Sequence, residues 1–336
     1  MAEEFQTEDY LEEARQLLDD LDDLDDLDEL DDSEEIEEEE QQPAKNKTLA
    51  KVLYYGLIGL FAAVFLFCAV YIVDYITESI QQGSAYDDLL QRVEDAKNNA
   101  DDEPDYTIPE GMGGSLSNGN NVGNADESRI LPQYREAYAL NNDLVGWITV
   151  PGTKIDYPVV QSPKNRDYYL YRNFYGKHSS WGCIYAREEC DIFTPSDNVV
   201  LYGHHMKDGS MFAGLDKYKR KSYWQDNQYL YFNTLYEEHT YQIIAAFKTS
   251  ANVGEGFAYH IFNQASSEEE FDAFMDAVRD IQMYRTGVTA EYGDMLLTLS
   301  TCEYTLDNGR FVVLAKRLTP EEAEALKQSQ ATDPAQ

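Results

Sequence analysis

From Val52 to Val73 the chain runs 22 residues without a charged side chain. About 20 apolar residues are enough for a helix to cross a bilayer. That run constrains everything around it, because it divides the chain into a part before a membrane and a part after it. It is not a cleavable signal peptide, since the apolar stretch is too long and a long segment precedes it. Lys45, Lys47 and Lys51 stand just before it, and Asp74 and Glu78 just after. Basic residues mark the cytoplasmic side, while acids count little in that rule. The expected topology is a single transmembrane helix over 49–75 in the cell membrane, with the N-terminus cytoplasmic and the remainder extracellular. Cys68 lies within this span and serves there as lipid-facing or packing bulk.

Residues 1–42 hold 22 Asp and Glu residues and one basic residue, Arg15, within a total net charge of -37. Leu18, Leu21, Leu24, Leu27 and Leu30 recur every three residues. A helix needs a period near 3.6 to keep one apolar face, so this stripe drifts, and like charges repel along it. Residues 1–48 therefore read as a solvated acidic cytoplasmic tail. Docking to a basic cytoplasmic partner is the sharper alternative. The charge balance excludes nucleic-acid binding, which needs clustered Lys and Arg. Residues 76–129 read as an extracellular stalk. "DDLLQRVEDAKNNADDEP" suits a short helix, and the Gly-, Asn- and Ser-rich 110–128 a flexible linker. Residues 130–318 are long enough to bury a sizeable core. Residues 319–336 form a polar C-terminal tail with helical character.

Within 130–318 a helix is expected near 132–140. "VGWITVPGTKIDYPVVQ" reads as two short strands joined by a Pro-Gly turn. "NVVLYGH" and "TYQIIAAFKTS" read as further strands. Ser267 and Glu270 form a capping box, and Phe271, Phe274, Met275 and Val278 follow helical spacing behind it. The acids Glu268 to Glu270 suit the first turn of that helix better than a calcium site, because they complement its dipole. "DMLLTLSTC" and "RFVVLAKRL" are the last two strands. Several short strands with turn signals point to a closed antiparallel barrel decorated by helices.

Three cysteines follow the span: Cys183, Cys190 and Cys302. An odd number outside the cell leaves at least one thiol unpaired. Cys183 and Cys190 either bridge each other or are both buried and reduced. Cys302 ends an apolar strand. As a thiolate beside a cation it would be a nucleophile, and buried it would be an inert small hydrophobe. A cysteine nucleophile needs a proton shuttle. Of five histidines, His178 and His239 sit in polar, loop-like contexts. His204 and His205 directly follow a strand and a glycine, and alternation lets only one of them face a site. Arg310 lies eight residues after Cys302, and two pairings remain open. With Asn308-Gly309 as a two-residue turn, Cys302 opposes Ala315 and Arg310 lies about 16 Å away along the strand. With 303–309 as a loop, Cys302 faces Arg310, whose guanidinium then reaches a developing oxyanion.

"TLSTC" followed by an arginine, with an upstream strand ending in "YGH", resembles the sortases, membrane-anchored cysteine transpeptidases of Gram-positive bacteria. "NNDLVGWITVPGTKIDYPVVQ", "YYLYRNF", "VVLYGHHMKDGSMFAGLDKY" and "STCEY…GRFVVLAKR" are most similar to class B members, over roughly Leu131 to Arg317. The resemblance implies a mainly β fold, an eight-stranded sortase-like barrel with added helices, preceded by one transmembrane helix. It implies Cys302 as nucleophile, His204 as general acid and base, Arg310 as the catalytic arginine, and the looped pairing of 303–309. Ser300 and Glu303 match substrate-groove positions, as do Tyr259 and Ile261 before the helix. Asn165 and Leu170 belong to the same groove. The implied partners are surface-protein precursors with a C-terminal sorting motif and an amine acceptor, from a cell-wall (peptidoglycan) precursor or a pilin lysine. No cofactor and no metal are implied. The alternative is a non-catalytic, membrane-tethered binding domain on a sortase-like scaffold. A papain-like hydrolase fits poorly, because there the cysteine precedes the histidine.

Overall fold

The computed structural model describes residues 45–98, 129–162, 164–252 and 254–332. The acidic head and the Gly-, Asn- and Ser-rich linker, read above as solvated and flexible, lie outside the described residues. Two compact units divide the chain, Met1–Ala69 and Val70–Gln336. Helix α1, Lys45–Asn98, is 54 residues long. Among the described residues it is the one helix long and apolar enough to cross a membrane. Side chains of its apolar run, such as Phe65 and Phe67, are 71% and 74% exposed, as lipid-facing residues would be.

The second unit is a closed barrel. Its strands are β1 (Leu144–Thr149), β2 (Asp156–Val160), β3 (Ile184–Ala186), β4 (Asn198–Tyr202), β5 (Tyr229–Thr234), β6 (Thr240–Ser250), β7 (Leu296–Glu303) and β8 (Gly309–Arg317). They close in the order β1-β2-β3-β4-β7-β8-β6-β5. The barrel is not purely antiparallel: β2 runs parallel to β3, and β4 to β7. Parallel neighbours need long crossovers. Here one is the loop over 161–183, and the other carries two 3-10 helices (Phe212–Lys219 and Tyr259–Ile261), two strands and two α-helices. β5 alternates, with Leu230, Phe232 and Thr234 buried and Tyr229, Tyr231 and Asn233 half-buried. β7 and β8 are buried almost throughout, as strands covered on both faces must be.

Helix α2 (Pro132–Leu140) precedes β1, the short α3 (Lys221–Asp226) precedes β5, α4 is Glu268–Ile281, and α5 is Pro320–Thr332. α4 starts where the capping box puts it: Ser267 Oγ accepts from the Glu270 amide at 3.4 Å. Its four apolar positions Phe271, Phe274, Met275 and Val278 are all buried. Each such side chain contributes about 2 kcal/mol by leaving water. The segment read as a stalk begins differently. α1 continues through it to Asn98, and Tyr86, Leu89 and Val93 enter the core. Their spacing of three and four makes one helical face, which the surrounding acids and amides conceal from a sequence reading. Cys183 and Cys190 are both free and buried. Burial pushes their thiols up to about 12 and about 11.

Candidate active site

The pairing of β7 with β8 sets Cys302 directly opposite Arg310 and Glu303 opposite Gly309. Residues 304–308 form the connecting turn, which is the looped alternative. Asn308, at φ 45°, closes it in the left-handed region that asparagine tolerates. Arg310 Nη1 donates to the carbonyls of Asn308 at 3.2 Å and Gly309 at 2.9 Å, and to Asn308 Oδ1 at 3.1 Å. The guanidinium is thereby held beside the turn.

β4 and β7 pair in parallel with a constant offset of 98, from Asn198↔Leu296 to Tyr202↔Ser300. The amide of Gly203 still donates to the Ser300 carbonyl, at 3.1 Å. Carried two residues past Tyr202, the same offset sets His204 level with Cys302. Residues level across neighbouring strands share a face. Cys302 and Arg310, paired across β7 and β8, and His204, just past the end of β4, all line one cavity of about 350 Å3. Gly203 is what lets the chain pass this point. A Cβ there would fall 2.5 Å from Ile184 Cδ1 and 2.6 Å from the Phe212 ring.

His204 Nε2 lies 2.7 Å from the carbonyl oxygen of Leu170. A carbonyl only accepts, so Nε2 carries a hydrogen in this contact. The ring sits 5.7 Å from that of Tyr171. His205 turns away: its Nε2 is 3.0 Å from Asp216, and its ring meets Tyr304 edge-on. One histidine of the pair serves the cavity, as alternation requires. Cys302 is half-buried, while Cys183 and Cys190 are closed off in the core. Two further cavities, of about 710 and 210 Å3, have no cysteine in their linings.

Leu170, Tyr259 and Ser300 also line the cavity. The Tyr259 hydroxyl and Ser300 Oγ are 2.6 Å apart. Three residues expected at the groove lie outside its lining. Glu303 follows Cys302 on a strand and so faces the other way. Its carboxylate meets Lys248 at 2.9 Å and Lys219 at 3.3 Å, and accepts from Thr305 Oγ1 at 2.6 Å. Burial alone would raise that carboxyl, but these bonds outweigh it and hold the pKa at about 2. Ile261 ends the 3-10 turn Tyr259–Ile261 and is 65% exposed, because so tight a turn points its first and last residues apart. Asn165 is exposed in the loop before Leu170, its amide bonded to the Ser162 carbonyl.

Sequence reasoning missed Arg187, Tyr202 and His260, which line the same cavity. Arg187 Nε binds Glu189 at 2.7 Å, while its Nη1 is buried without a hydrogen-bond partner. Burial, with Arg187, Arg166 and Arg310 nearby, keeps the His260 imidazole below its ordinary pKa. No local motif marks these residues, since only barrel closure brings β3 and the 3-10 turn to β7.

Comparison with known proteins points to one family. Residues 148–318 match the family described as "Sortase domain". The chain is 30% identical over 192 residues to Sortase B of Staphylococcus aureus and 32% identical over 192 residues to Sortase B of Listeria monocytogenes. Each match spans 56% of this chain and 76% of the relative. The structure of a Staphylococcus aureus sortase B-substrate complex superposes with a TM-score of 0.59 at 25% identity, covering 73% of this chain and 99% of that one.

Proposed function

This chain belongs to the sortase family, in class B, and we propose that it is a single-pass membrane transpeptidase whose barrel lies outside the cell and whose nucleophile is Cys302. A precursor protein presents its C-terminal sorting motif in the cavity. The Cys302 thiolate attacks the carbonyl carbon of the motif's threonine. Arg310 binds the carbonyl oxygen and stabilises the negative charge of the tetrahedral intermediate. His204 donates a proton to the leaving amine as the C–N bond breaks, and a threonyl thioester remains on Cys302. An amine of a cell-wall precursor, or of a pilin lysine, then attacks the thioester. Neutral His204 takes the proton from that amine, and the thiolate leaves.

What supports the reading is a single arrangement: a thiol and a guanidinium paired across β7 and β8, and an imidazole just past the end of the neighbouring β4, line one cavity. Leu170, Tyr259 and Ser300 are the groove residues of this reading. Glu303, Ile261 and Asn165 lie outside the lining of this cavity.

Mass spectrometry of the full chain, incubated in detergent with a small library of sorting pentapeptides, tests it. The expected product is an acyl adduct ending in threonine on the Cys302 peptide, absent from Cys302→Ala. An adduct on another residue, or cleavage surviving in Cys302→Ala with a native circular dichroism spectrum, would end the nucleophile assignment.

A further inference from the structure

Helix α1 meets the barrel at several places, and one of them touches both loops that flank His204. The loop after His204 is closed by its own backbone: the Phe212 amide donates to the His204 carbonyl at 2.9 Å, and His205 pairs with Met211. Asp208 is at its tip. Asp208 Oδ1 accepts from the Ser210 amide at 2.9 Å and hydroxyl at 2.5 Å, which fixes the carboxylate within the loop. Asp208 Oδ2 reaches outward and accepts from Ser79 Oγ of α1 at 3.0 Å and from Trp181 Nε1 at 3.1 Å.

Trp181 belongs to the other wall of the imidazole. Its neighbour Gly182 lies so close to Tyr169 and Leu170 that a Cβ would stand 2.5 Å from the Leu170 oxygen, and the Cys183 amide donates to the Tyr169 carbonyl at 3.0 Å. This is the loop whose Leu170 carbonyl holds His204 Nε2. α1 braces it as well. Glu78 accepts from the Ser180 amide at 2.8 Å, Tyr86 donates to the Gly182 carbonyl at 3.3 Å, and Tyr75 lies 5.1 Å from the Trp181 ring. None of the described residues of α1 is in the lining of the active-site cavity.

We infer that Asp208, with Ser79 and Glu78 of α1, are positioning residues for the reaction: they lock the two loops that hold His204, so that the helix continuing the candidate membrane span is part of the catalytic scaffold. This rests on the reading of His204 as the acid and base. The carboxylate of Asp208 is the joint, since it bonds the histidine loop, the Leu170 side and α1 together.

The test uses the full chain in nanodiscs, a fluorogenic Asn-Pro-type sorting pentapeptide and triglycine as the amine. Misplacing a catalytic group by about 1 Å costs up to about 100-fold in rate. Asp208→Ala is therefore expected to lower kcat by about tenfold, with KM within about twofold of the parent. Ser79→Ala, on the helix, should lower kcat by about threefold in the same manner. Asp208→Asn should recover part of kcat, because its carboxamide oxygen still accepts from Trp181 and Ser79 while its amino group cannot accept from the Ser210 amide. Cys302 alkylation by iodoacetamide should be unchanged in all three, showing that the site is folded and open. An unchanged kcat in both Asp208→Ala and Ser79→Ala, a loss confined to KM, or a loss matched by altered alkylation overturns the inference. His204→Ala run alongside separates the two levels: retained activity there removes the reading of His204 itself, whereas lost activity there with active Asp208→Ala removes only the positioning role.

Discussion

His204 and His205 are adjacent in the chain and stand in different surroundings. His204 reaches into the cavity and donates Nε2–H to Leu170, while His205 is tied to Asp216 and Tyr304 on the other side of the strand end. General acid–base catalysis contributes about 100- to 10,000-fold to such reactions. His204→Ala should therefore lose at least about 100-fold in peptide cleavage, and His205→Ala should stay within a few-fold of the parent. Equal losses, or the reverse order, in a cleavage assay would show that the wrong imidazole has been assigned. That only one of the two can face the cavity was legible in the sequence from strand alternation; which one was implied by the family resemblance alone. The same rule separates Cys302 from Glu303, and applied there it points Glu303 away from the cavity. Arg187 had no such signal: its place at the cavity follows from β3 pairing with β2 and β4, contacts that no short window contains.

Among the elements, those with a strong local period were readable. α4 carries its capping box and four apolar positions, and β6, β7 and β8 are long apolar runs. β3 has three residues and α3 six, too short for a period to show. The β7–β8 register was ambiguous because Asn308-Gly309 is itself a turn signal; the structure spends it at the end of a longer turn. Glu303 is what ties these elements together. From β7 its carboxylate holds Lys248 of β6 and Lys219 of the 3-10 helix. Its folded pKa of about 2 lies below the ordinary 4.5. A depressed carboxyl stabilises the fold fully above the unfolded value, and that contribution is lost as pH falls through the folded one. At neutral pH it amounts to roughly 3 kcal/mol. Glu303→Gln should therefore unfold more easily than the parent at pH 7, and the gap should close as pH falls from about 4.5 towards about 2. Thermal unfolding followed by near-ultraviolet circular dichroism reads this directly. A gap that stays constant over that range would mean that the carboxylate is not the tie.

For the whole molecule, topology and chemistry make one joint prediction. In the proposed topology, argued from the apolar run and the lysines before it, the barrel lies outside the cell. The four cysteines then differ in what can reach them. Cys183 and Cys190 are buried with thiols raised by burial, and an un-ionised thiol reacts poorly. Cys68 is exposed on the candidate span, where lipid would cover it. Cys302 is half-buried at an open cavity. A charged, membrane-impermeant thiol reagent applied to intact cells should therefore label this protein at one residue, Cys302, and Cys302→Ala should abolish the label. A cysteine introduced at Ser33, in the acidic head, should take up the reagent only after the membrane is opened. Labelling of Cys302 that appears only on permeabilisation would put the barrel in the cytoplasm, where no sorting substrate or wall amine is presented. Labelling of the Ser33 position in intact cells would invert the chain as a whole. Both would contradict the rule that basic residues stay inside, and the second would do so despite an acidic head that the rule counts for little.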